Sequence, residues 1–125
     1  MNKKRPVNLG LLTIRFPITA IVSILHRVSG VVLFLSIPIL LYLLSCSLTT
    51  SDGFDDVMTL LQGFWAKLMI FGILSAGLYH LVAGIRHLLM DCGFAEEKTS
   101  GKVAARVMLV IAIVLIIIMG VWLWM

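Results

Sequence analysis

Three stretches without a single charged side chain constrain this chain more than any other feature: residues 28–48, 68–85 and 107–125. A helix crossing a bilayer needs roughly 20 consecutive apolar residues. Inside lipid its backbone N–H and C=O groups must all be paired within the segment. Charged residues make up 13% of the chain, against roughly 25% in an average soluble domain. The expected fold is therefore all-α. It is an integral membrane three-helix bundle forming a single membrane-anchor domain over residues 1–125, with a pre-span cytoplasmic segment at 1–27.

The placement of the Lys and Arg residues sets the expected orientation, because short cytoplasmic loops collect them. Lys3, Lys4, Arg5, Arg15 and Arg27 precede or open the first run, with no acid among them. The connection after that run carries Asp52, Asp55 and Asp56, with Lys67 only at its edge. The connection after the second run carries Arg86, Lys98, Lys102 and Arg106. This pattern predicts a cytoplasmic N-terminus, a periplasmic C-terminus, and a multi-pass protein of the bacterial inner membrane. Trp122 and Trp124 suit an aromatic belt where the third span leaves the bilayer.

Met1-Asn2-Lys3-Lys4-Arg5 has the charge of a signal-peptide start, but the apolar run arrives late and is long, so a retained signal anchor is expected. A helix can begin after Pro17, near Ile18, and Pro38 predicts a kink in the first span. Residues 49–66 read as a polar connection. Thr49-Thr50-Ser51-Asp52-Gly53 is turn chemistry, and the apolar residues from Phe54 to Trp65 form either an interfacial turn or an early start of the next helix. Cys46 and Cys92 fall at opposite sides of the membrane and cannot pair within the chain.

A polar residue inside a span is costly and is a functional candidate by default. His80 is the only histidine in the three runs, which hold no Asp, Glu, Lys or Arg, and it lies five residues before the end of the second, roughly 8 Å at helical rise. Gly77, His80, Gly84 and His87 recur at spacings of three and four and share one helix face. The glycines make a notch in which a flat porphyrin can approach the imidazole. Equally, they can let a second helix approach, with His80 as an interhelical hydrogen-bonding group. A second group, Ser23, His26, Arg27 and Gly30, lies at the start of the first run, at the same cytoplasmic depth as Arg86, His87 and Asp91. A hydroxyl and a guanidinium there can serve a quinone carbonyl, and His26 and Arg27 can hold haem propionates. Arg27 and Arg86 can also be plain positive-inside anchors reaching to headgroups.

The chain has no Gly-rich nucleotide loop, no Ser-His-Asp or Cys-His arrangement, no Cys-x-x-Cys pair and no acidic pair at metal spacing within the membrane. Catalysis by this chain alone is not expected. The short basic N-terminus contacts lipid headgroups or a partner rather than nucleic acid.

Arg5-Pro6-Val7-Asn8-Leu9, PITAIVSILHRVSGV at 17–31 and YHLVAGIRHLLMD at 79–91 together resemble the cytochrome b membrane-anchor subunits of succinate dehydrogenase (complex II). Order, spacing and the three-span pattern agree over nearly the whole chain. The resemblance implies a haem b shared with a second small membrane-anchor subunit, and a flavoprotein and an iron–sulfur subunit on the cytoplasmic face. Electrons from succinate, in the tricarboxylic acid cycle, then pass to ubiquinone. It further implies that His80 is the axial ligand to the haem iron, that His26 lies by the haem propionates, and that Ser23 and Arg27 belong to the quinone site. A fumarate reductase anchor and a haem-free structural membrane subunit are the alternatives.

Overall fold

A computed structural model describes residues 16–95 and 97–125. It contains four helices: α1 (Ile18–Thr49), α2 (Ser51–Gln62), α3 (Phe64–Asp91) and α4 (Lys98–Trp124). Three of them are long and apolar enough to cross a membrane, over Ile18–Thr49, Phe64–Asp91 and Thr99–Trp124. Each extends the charge-free run that marks it. The basic segment before Pro17 and the signal-anchor expectation lie outside the described residues.

Pro17 occupies the N-cap of α1, so the helix begins where the ring's fixed φ allows it to. With 32 residues, α1 is roughly 48 Å long at 1.5 Å per residue, against a hydrocarbon core of about 30 Å. Its ends therefore project beyond the lipid tails. The helix runs through Pro38, whose missing N–H leaves the carbonyl of Phe34 without a helical donor.

The first connection is more ordered than its polar composition suggests. Thr50 caps α2, its Oγ1 accepting a hydrogen bond from the Gly53 N–H at 2.9 Å, and Asp52 adds an acid to the first turn. Gly53 is required by proximity: a Cβ there would stand 2.5 Å from the carbonyl oxygen of Cys46. This close approach folds α2 back against the end of α1. Gly63 then separates α2 from α3 in an extended conformation.

α3 lies between α1 and α4, antiparallel to both. Along α1 the contacts pair Leu33 with Gly77, Gly30 with His80 and His26 with Gly84. Along α4, Phe71 meets Gly120 and Trp124. The buried core is small and made of Val22, Ala83, Ala105, Met108 and Ala112. Alanines there let the helices close on one another, as packing in lipid requires. The outside is apolar instead: Phe34 is 71% and Trp122 74% exposed. Such a surface is stable against lipid tails or other membrane helices and not against water. Cys46 and Cys92 are both free, as their positions in the sequence imply.

Candidate functional site

The α1–α3 seam gathers the three histidines. His80, Gly84 and His87 form one stripe of α3, and the glycine leaves room for His26 of α1 to enter between the two imidazoles. The His26 and His80 rings stack with centroids 4.1 Å apart, and His26 and His87 lie 5.1 Å apart in a tilted pair. Two glycines make this possible. A Cβ on Gly30 would stand 3.1 Å from His80 Cε1, and a Cβ on Gly84 would stand 3.6 Å from His26 Nε2.

His80 is held from one side only. Its Nδ1 lies 3.0 Å from Ser29 Oγ and 3.1 Å from the carbonyl oxygen of His26. Ser29 in turn donates to that carbonyl at 2.7 Å. Both groups belong to α1, so α1 anchors the inner nitrogen of His80. No hydrogen bond to Nε2 is formed among the described residues. His26 Nε2 is buried without a hydrogen-bond partner. A buried polar atom left unpaired is costly, so His26 Nε2 retains the capacity to bond a further group.

Ser23 and Arg27 lie on the first turns of α1 beside His26, with Ser23 half-buried and Arg27 exposed. The outward-facing guanidinium is free to meet a molecule arriving from lipid or from a partner subunit. Arg86, on α3, behaves differently. It is 6% exposed and turns toward α4, where it borders a cavity of ≈ 220 Å³ with Val82, Leu89 and Met108. It therefore does not reach outward to headgroups as a positive-inside anchor does. The two polar clusters, at the start of α1 and the end of α3, meet through His26 and His87 instead. Tyr79, one residue before His80, ties the same helices by donating to the carbonyl of Val22 at 3.1 Å.

Sequence reasoning singled out His26, His80 and the glycines of α3. It gave no role to Ser29, although Ser29 lies three residues after His26 and beside Gly30, the spacing that puts a hydroxyl over the preceding turn.

The sequence matches, over residues 1–119, the family model described as Succinate dehydrogenase/Fumarate reductase transmembrane subunit. The chain belongs to this family. Among curated relatives, the succinate dehydrogenase cytochrome b556 subunit of Coxiella burnetii is 46% identical over 99% of this chain and 100% of its own length. The cytochrome b560 subunit of Reclinomonas americana is 34% identical over 90% of this chain and 81% of its own. The cytochrome b556 subunit of Paracoccus denitrificans is 27% identical over 91% of this chain and 88% of its own. Likeness to these succinate dehydrogenase subunits over 90% or more of this chain, with three helices long and apolar enough to cross a membrane, makes this an integral inner-membrane protein of the same kind.

Proposed function

We propose that this chain is the cytochrome b membrane-anchor subunit of a succinate:quinone oxidoreductase. His80 Nε2 would bond the iron of haem b, and Ser23 and Arg27 contribute to the ubiquinone site. The carrying observation is the seam between α1 and α3. Its intramembrane imidazole is fixed through Nδ1, with the opposite nitrogen free of hydrogen bonds among the described residues.

The residues present fit a haem. A neutral imidazole bonds iron through the nitrogen that carries no proton, while the other donates to a carbonyl or hydroxyl. Gly30 and Gly84 make room in the seam for the His80 and His26 rings. The orphaned His26 Nε2 is suited to a carboxylate such as a propionate. When bound, haem b supplies a one-electron store within the bilayer.

The chain's own groups then divide the work. His80 fixes the cofactor's position. Ser23 donates a hydrogen bond to a quinone oxygen, and Arg27 stabilises the negative charge that develops on it. The oxidation of succinate belongs to a flavoprotein, and transfer to the membrane to an iron–sulfur subunit. A second ligand to the iron would come from another small membrane-anchor subunit. Succinate oxidation rather than fumarate reduction is supported by the names of the curated relatives. Purification through a tag on this chain should recover all three partners in a complex that reduces ubiquinone with succinate. Recovery of the chain without a flavoprotein would refute this reading.

The N-terminus and the α3–α4 connection face the cytoplasm in this reading, as the Lys and Arg asymmetry indicates. An enzyme reporter fused after Met125 should be active only in its periplasmic form, and one inserted near Lys98 only in its cytoplasmic form. A cytoplasmic C-terminus would overturn the orientation and with it the placement of Ser23 and Arg27 on the side where electrons arrive.

A further inference from the structure

The hydrogen bonds around Ser29 fix which nitrogen of His80 carries the proton. The carbonyl oxygen of His26 can only accept, so its contact with His80 Nδ1 at 3.1 Å is a bond only if Nδ1 carries hydrogen. Ser29 has one O–H, and it is committed to the same carbonyl at 2.7 Å. Its oxygen therefore accepts from His80 Nδ1–H at 3.0 Å. The two requirements agree: with the proton on Nε2 the Ser29 hydroxyl would have to turn from the carbonyl to Nδ1, and the His26 carbonyl would lose both of its side-chain donors. Ser29 is buried, with 6% of its surface exposed, so water does not compete for them.

We propose that Ser29 is a positioning residue for the axial ligand. Together with the His26 carbonyl it holds His80 in the Nδ1–H tautomer and fixes the plane of the ring, presenting the Nε2 lone pair. This rests on His80 being the axial ligand. The device lies in α1, so the helix that carries Ser23 and Arg27 also sets the electronic character of a ligand on α3. An imidazole that donates from Nδ1 becomes more basic at Nε2 and favours ferric over ferrous iron. The His26 carbonyl persists when the hydroxyl is lost, so the expected change is a shift and not the disappearance of the haem.

The test compares Ser29→Thr with Ser29→Val in the purified complex. These side chains have nearly the same shape and differ in the hydroxyl. Ser29→Val should raise the haem midpoint potential and move the largest EPR g value, which reports the mutual orientation of the two axial rings. Ser29→Thr should keep both near wild type. Ser29→Ala provides the hydroxyl-free reading should valine prevent assembly. Equal shifts in the threonine and valine variants would show a packing effect, and wild-type values in valine and alanine would show no effect; either result overturns the role of Ser29. His80→Leu in parallel separates the premises. If it leaves the haem signal unchanged, the ligand assignment itself has failed; if it alters the signal while Ser29→Val does not, only the present proposal has.

Discussion

Replacing His80 with leucine in the assembled complex should remove the low-spin b-type haem signal or replace it with a different one. Leucine fills a similar volume and adds no charge to the bilayer. It leaves the Ser29 hydroxyl on the His26 carbonyl, a bond that does not involve His80. What it deletes is the imidazole proposed to bond the haem iron. His26 stacks on His80 at 4.1 Å, so a neighbouring imidazole stands close enough to take over part of its role, and a changed spectrum is expected as readily as a lost one. Some assembly and quinone reduction should persist. Optical, near-infrared and EPR spectra that match wild type would remove His80 from the ligand set.

The second large effect is expected at the quinone site. Loss of one donor to an oxygen that gains charge in the transition state costs about 3–4 kcal/mol, a factor of 10² or more in rate. Ser23→Ala should slow ubiquinone reduction on that scale while succinate oxidation with a soluble artificial acceptor stays nearly intact. Arg27→Leu should do the same. Arg27 is exposed, so this change leaves the packing of the seam alone, and its further effect would be weaker haem retention through a propionate. The two assays separate function from folding. Parallel loss of both activities would make the residues structural. Retention of both would place the quinone elsewhere.

The three spans are legible in the sequence because lipid leaves so few options: a long charge-free run must pair its backbone internally, and only a helix does so in one segment. The start of α1 is equally legible from Pro17. α2 was harder to read. Its Thr50 cap and Asp52 look like turn residues, since the same side chains serve turns and helix N-termini. The decisive fact is the approach of Gly53 to the Cys46 carbonyl, a tertiary contact with no local signature.

The candidate site divides along the same line. The stripe of Gly77, His80, Gly84 and His87 follows from helical periodicity alone. The direction each polar residue takes does not. Arg86 resembles a lipid-facing anchor in sequence yet turns inward against α4, because its helix face is set by Ala83 and Tyr79 packing toward α1 and α4. Ser29 was invisible for a related reason. A serine in a membrane helix ordinarily bonds a carbonyl of its own preceding turn, and Ser36 does so with Leu33 at 2.7 Å. Only the arrival of His80 from α3 gives the Ser29 oxygen a second partner.

The central claim, that this chain binds haem b as one half of a membrane cytochrome, is tested most directly by a reduced-minus-oxidised spectrum. It should be recorded on the complex isolated through this chain, with the haem content determined. A b-type signal with low-spin, bis-histidine character and one haem per copy of the chain is expected. A complex that contains this chain, reduces quinone with succinate and carries no haem would contradict it.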